Sequence, residues 1–183
     1  FGSTTYSNSY QAEGYYVPKN FTKIEILSGK IVESALSGCS SLTDITIGEN
    51  VTEINKSALY GCTSLKVLKI PFVGKTKNSN EGYEAVFGYV FGYKAVEKSE
   101  SFGYNSDWEH GVAYNLWEGK VDSTYEGTIG QLSYFKHSAG QSTAYRTSYY
   151  FYIPSSLTKV YITNQTSYYK FAFNGCDSIT FVK

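Results

Sequence analysis

The chain has 183 residues, 42% hydrophobic and 17% charged, enough apolar material for one folded domain or a stack of short units, which excludes a disordered tail. Lys plus Arg equals Asp plus Glu at 16 each, so no net field gathers nucleic acid or an anionic membrane. No apolar run reaches the roughly 18 residues of a membrane span.

Nineteen Tyr stand against two His, so contact surface is plentiful and the usual acid–base side chain is scarce, a balance that favours binding over catalysis. Met is absent even at position 1, and the start at Phe1-Gly2-Ser3 predicts a piece of a longer protein. The first strand is expected at 21–26, where Phe21-Thr22-Lys23-Ile24-Glu25-Ile26 matches Leu42-Thr43-Asp44-Ile45-Thr46-Ile47, the second strand, at 42–47. In the second, Ile45 and Ile47 fall on one face and Asp44 and Thr46 on the other, so one face is core and the other solvent. Gly48-Glu49-Asn50 is expected to turn the chain, and Val51 and Ile54 to return to the core. A short helical or irregular segment then ends at Ala58-Leu59, closed by Gly61 in the left-handed conformation.

Ser34-Ala35-Leu36-Ser37-Gly38-Cys39-Ser40-Ser41-Leu42 aligns without a gap on Ser57-Ala58-Leu59-Tyr60-Gly61-Cys62-Thr63-Ser64-Leu65. The same offset carries Ile45 to Leu68 and Ile47 to Ile70, which places a third strand at 65–70; the turn after the first strand is two residues shorter. Ala172-Phe173-Asn174-Gly175-Cys176-Asp177-Ser178-Ile179 repeats the pattern after Leu157, Val160 and Ile162, giving strands at 157–162 and 179–182. All three cysteines hold one repeat position and read as small buried hydrophobes rather than a disulfide framework, Cys39 and Cys62 included. One such unit cannot cover both sides of its own core, so stability must come from stacked neighbours.

The repeated Ala-Leu/Phe-x-Gly-Cys-x-Ser-Leu followed by Ile-x-Ile resembles the BspA-type leucine-rich repeat over residues 15–92 and 152–183. Ile70-Pro71-Phe72-Val73-Gly74, Phe87-Gly88-Tyr89-Val90-Phe91-Gly92 and Tyr152-Ile153-Pro154 resemble a longer unit of that family, and Phe1-Gly2 with Tyr16-Val17-Pro18 resemble the tail of an earlier copy. The resemblance implies a right-handed leucine-rich-repeat solenoid, β-rich with short helical or irregular convex segments and about five ladder strands. It also implies a secreted or cell-surface, adhesion-like protein of bacterial or parasitic-protist type that binds protein or extracellular-matrix ligands without catalysis, cofactor, nucleic acid or membrane insertion. Residues 1–183 are expected to form one such domain, interrupted by a Tyr-rich insertion at 94–150. A structureless loop of that length would be unusual, so strands are expected inside it, around 143–152.

Two candidate surfaces follow. The solvent-facing residues of the ladder, Lys23, Glu25, Thr43, Asp44, Thr46, Lys66, Lys69, Lys159 and Tyr161, form an extended face of the kind repeat proteins use for partners, or a plain solvated face. In the insertion Trp108, Trp117, Tyr104, Tyr114 and Tyr125 stand near Asp107, Glu109, Glu118 and Asp122, which suits either a glycan platform or a local aromatic core. A hydrolase built on Glu109, His110 and Glu118 is the remote alternative. Glu109-His110 lacks the second His of a zinc protease motif, no Gly-x-Ser-x-Gly elbow occurs, and Gly74-Lys75-Thr76 fails as a phosphate loop because Lys69 stands where the first Gly should be. His110 and His137 have no metal-ligand spacing. Asn20, Asn50, Asn55 and Asn164 head glycosylation triplets, which carry no meaning in a bacterial protein.

Overall fold

The computed structural model describes residues 2–5, 13–16, 18, 20–101, 116–117, 127–137 and 143–182. Its strands in chain order are β1 (Gly2–Thr5), β2 (Glu13–Tyr16), β3 (Lys23–Ile31), β4 (Asp44–Ile54), β5 (Val67–Ile70), β6 (Tyr93–Ser101), β7 (Leu116–Trp117), β8 (Ile129–His137), β9 (Thr143–Phe151), β10 (Lys159–Ile162) and β11 (Phe181–Val182). The five strands expected from the repeat pair as one parallel sheet in the order β11-β10-β5-β4-β3. Ile24, Ile45, Leu68 and Val160 share one rung. Alternation then turns Ile45, Ile47, Leu68 and Ile70 inward, and Leu42 and Leu65, just before their strands, join them; all are fully buried. Each such side chain contributes about 1.5–3 kcal/mol relative to exposure.

The turn expected at Gly48-Glu49-Asn50 does not interrupt β4, which runs on to Ile54. Its backbone keeps partners on β3, with Ile26 opposite Ile47 but Ser28 opposite Asn50 and Lys30 opposite Glu53. Two register shifts, between Ile26 and Ser28 and between Gly29 and Lys30, absorb the two residues by which the first unit is shorter. Bulges of this kind bend the strand while preserving its ladder, so the chain turns the corner as β structure.

The segments behind the sheet are turns and two short 3-10 elements, Tyr83–Ala85 and Phe87–Phe91. They stack through backbone hydrogen bonds of 2.8 Å, with the N–H of Leu36 donating to Ala58 O, Gly38 to Tyr60 O, Leu59 to Val90 O, and Phe87 to Ala172 O. Ala58 is fully buried in this stack, which is why the position is small. Gly38, Gly61 and Gly175 share φ of 76°, 74° and 76°, as expected for Gly61. A Cβ on Gly61 would also stand 3.2 Å from the Gly38 nitrogen, so the corner requires glycine for both conformation and space.

A separate antiparallel sheet, β6-β9-β8-β7, leaves the ladder after Phe87–Phe91 and returns at Phe151. The strand anticipated around 143–152 is β9. Tyr152 N–H donates to Gly92 O at 3.0 Å where the segment begins and ends. Gly2 pairs with Tyr16 in the β1-β2 hairpin, so the same Gly–Tyr closure recurs in a shorter form.

Candidate functional site

Strand register sets the candidate residues of the ladder in two rows. Lys23, Asp44, Val67 and Lys159 share one rung, and Glu25, Thr46, Lys69 and Tyr161 the other. Lys23, Glu25, Lys69 and Lys159 are exposed, while Asp44, Thr46 and Tyr161 are half-buried between neighbouring strands. Lys66 is exposed but precedes β5, and Val67 holds the rung beside it. Thr43 stands one residue before β4, where its hydroxyl lies 2.6 Å from Asp44 Oδ2 and 3.2 Å from Thr22 O, fixing the carboxylate at the head of the row.

The ion pairs among the described residues, Lys30–Glu53, Lys56–Glu33 and Lys75–Glu84, involve none of these side chains. The first two tie consecutive units together, Lys30–Glu53 across the paired ends of β3 and β4 and Lys56–Glu33 at the turns that follow, and the hydrogen bond from Lys30 holds the Glu53 carboxyl below its usual range. The ladder face therefore keeps both signs of charge available to a partner.

The aromatic candidates are placed less fully. Trp117 lies in β7 opposite Ser133 of β8. Trp108, with Tyr104, Asp107, Glu109, His110, Tyr114, Glu118, Asp122 and Tyr125, lies outside the described residues. The three cysteines are free and buried. Burial pushes the Cys62 and Cys176 thiols up to about 12, with smaller contributions from Cys39 and Asp177 respectively, and raises Cys39 as well.

Two features escaped the sequence reading. Gln131 is only 2% exposed, at the point where β8 slips one residue against β9. The bulge aims its amide inward: Oε1 accepts from Gly88 N–H at 2.7 Å, and the two N–H groups of Nε2 are shared among Ala172 O at 3.3 Å, Asn174 O at 3.1 Å and Cys176 Sγ at 3.0 Å. The side chain thereby joins the antiparallel sheet to two units of the ladder. No pattern of polar and apolar residues marks a bulge of this kind.

The second is a groove of about 610 Å³ between the turn after β5 and the turn after β10, lined by residues 77–80, 165 and 167–170. Asn164 N–H donates to Pro71 O at 3.0 Å, and Gln165 bridges the walls, its Oε1 accepting from Val73 N–H at 2.9 Å and its Nε2 donating to Lys77 O at 3.1 Å. Its walls are 88 residues apart in sequence at the Gln165–Lys77 bond, so only pairing of β5 with β10 brings them together. Among the glycosylation triplets, the Asn55 amide is committed inside the stack, donating to Ile31 O at 3.1 Å.

No helix among the described residues is long and apolar enough to cross a membrane, which leaves strand-based spanning untouched. No curated protein and no solved structure gave a significant match. The BspA-type leucine-rich repeat region matches in six copies over residues 2–83 and 125–183, taking in β8 and β9 as well as all five ladder strands. Repeats of this type build proteins that mediate protein interactions or surface adhesion, and are usually secreted or displayed on a surface. The match extends over well more than half of the chain, and the three Gly-Cys corners share one backbone conformation: the chain belongs to the BspA-type leucine-rich repeat family.

Proposed function

We propose that the chain is a non-catalytic interaction module of a secreted or cell-surface protein, and that its ladder winds as a right-handed solenoid presenting the strand face to a protein or extracellular-matrix ligand. The observation that carries this reading is the pair of rungs, Lys23–Asp44–Val67–Lys159 and Glu25–Thr46–Lys69–Tyr161, held in register by a parallel sheet whose other face is buried. Such a face is rigid, so a partner that fits it loses little conformational freedom of the protein on binding. Mixed charge across the rungs suits a partner of complementary pattern rather than a uniform polyanion.

The test is a screen of extracellular-matrix proteins against the intact chain, followed by two variants. Lys69→Glu with Lys159→Glu alters the rungs, and replacement of residues 102–126 by a Gly-Ser linker removes both tryptophans. The expected result is a loss of affinity of about tenfold or more in the rung variant, with the linker variant retaining most binding. A ligand whose binding survives the charge reversal and is lost in the linker variant would transfer the function to the insertion.

A further inference from the structure

We propose that Tyr83 and Tyr149 form an oxidative cross-linking site, at which a peroxide-driven one-electron oxidant of the haem-peroxidase class joins the two rings as dityrosine and ties the antiparallel sheet to the ladder. The strand-face reading is independent of this site, which occupies a different part of the molecule.

Four tyrosines from four elements meet where the antiparallel sheet leaves the ladder. Tyr83 opens the first 3-10 element, Tyr89 lies in the second, Tyr93 begins β6, and Tyr149 lies in β9 opposite Ala95. The turn that carries Tyr83 is clamped, because Lys75 N–H donates to Glu84 O at 2.9 Å and Lys75 Nζ pairs with Glu84 Oε1 at 3.0 Å. Within the cluster, the rings of Tyr83 and Tyr149 stack nearly parallel, with centroids 5.5 Å apart and planes 13° from each other. Tyr93 meets Tyr83 at 59° and Tyr149 at 72°, and Tyr89 meets Tyr83 at 39°.

The angle selects the pair. Two phenoxyl rings couple through the π lobes of their ring carbons, which stand perpendicular to each plane, so offset parallel rings are aligned for the new bond and edge-on rings are not. Charge and exposure favour the same two residues. The Lys56 ammonium lies 5.5 Å from the Tyr93 ring centroid, and a positive charge there opposes removal of an electron from that ring. Tyr89 is buried, whereas Tyr83 and Tyr149 are half-buried and in reach of water. Composition adds an independent argument. Met is absent and the three thiols are buried, so the sulfur groups that commonly consume an oxidant are missing or sheltered, and aromatic rings are left as electron donors.

In the proposed step each phenol gives up one electron to the oxidised haem and one proton to solvent. The two radicals form a carbon–carbon bond between ring positions ortho to the oxygens, and each ring hydrogen at that bond then moves to a phenol oxygen, restoring aromaticity. The two electrons and two protons reduce one peroxide to two waters. The chain loses two hydrogens.

Treatment of the full chain with a haem peroxidase and limiting hydrogen peroxide tests the inference, read by dityrosine fluorescence and by mass spectrometry of the digested monomer. The principal cross-link should join the peptides of Tyr83 and Tyr149, with a yield that does not change on dilution. Tyr83→Phe and Tyr149→Phe keep the ring packing but should each lower the yield of intramolecular dityrosine by about tenfold or more, while Tyr93→Phe should retain it. The cross-linked chain should also unfold at a higher urea concentration, since the new bond restricts the unfolded state. Oxidation in urea should scatter the cross-links over many tyrosines. Absence of the Tyr83–Tyr149 product from the parent chain, a principal cross-link through Tyr93 or between molecules, full yield in either Tyr83→Phe or Tyr149→Phe, the same single product from the unfolded chain, or an unchanged urea midpoint would each overturn the inference. The map of the parent chain reads the result even where a variant is unstable.

Discussion

Gln131 shows how much a single side chain can hold when all its polar atoms are used. Its amide serves Gly88 N–H, Ala172 O and Asn174 O from a buried position. Gln131→Leu keeps similar bulk and removes every one of these bonds, leaving buried peptide groups without it. We expect a loss of about 2–5 kcal/mol in urea unfolding, the sum of a few unsatisfied groups at roughly 1–3 kcal/mol each. A midpoint within error of the parent would show that water replaces the amide. The repeat cysteines present the opposite case, since their type was legible in the sequence and their inertness follows from burial. With Cys62 and Cys176 thiols pushed up to about 12, the thiolate is scarce at pH 8. Iodoacetamide should therefore label the native chain slowly, Cys39 first, and all three sites at once in urea, as mass spectrometry would show.

At the scale of elements, legibility follows periodicity. Leu42-x-x-Ile45-x-Ile47 announces a strand because its side chains must alternate between core and solvent, and β4 contains it. Gly48-Glu49-Asn50 carries turn chemistry, yet the chain stays in the ladder there, because pairing with Ser28 and Gly29 outweighs a local preference. The two-residue difference between units was visible in the alignment, but not that two bulges would absorb it. The ladder rows were legible for the same reason as the strands. The groove was not, since its walls, joined by Gln165 and Lys77, come together only across paired strands. Where the Phe87–Phe91 turn meets β9, contact is closer than any side chain permits: a Cβ on Gly88 would lie 2.4 Å from Phe151 Cβ and 2.6 Å from Gln131 Oε1. Gly88→Ala should cost about 1–3 kcal/mol or more through overpacking. Hydrogen exchange should then accelerate across β9 and the turn more than in β4, and uniform acceleration would argue against so local a joint.

Across the whole molecule, the buried hydroxyl and thiol groups set the response to base. Desolvation raises Tyr89, Tyr93 and Tyr149 above their ordinary value of 10.0, as it does Cys62 and Cys176 above 9.0. The unfolded chain loses these protons first, so their contribution is complete below pH 9 and declines as pH rises toward the folded values. The urea midpoint should fall steadily from pH 9 upward, and Cys62→Ala with Cys176→Ala, though less stable at neutral pH, should show a shallower fall. A midpoint unchanged up to pH 11 would contradict that linkage. The hydrogen bond from Tyr152 N–H to Gly92 O has a different consequence, for how the protein can be varied. Because the two ends of the intervening segment are already held together where the β5 unit passes to the β10 unit, chain length between them is nearly free, each doubling adding only about 0.6 kcal/mol of closure entropy. Gly2 and Tyr16, paired with each other in the β1–β2 sheet, bracket a shorter segment in the same order along the chain. The ladder thus behaves as a socket board, in which successive units can exchange one hairpin for a larger one, or for a foreign domain with adjacent termini, while the sheet beneath keeps its register.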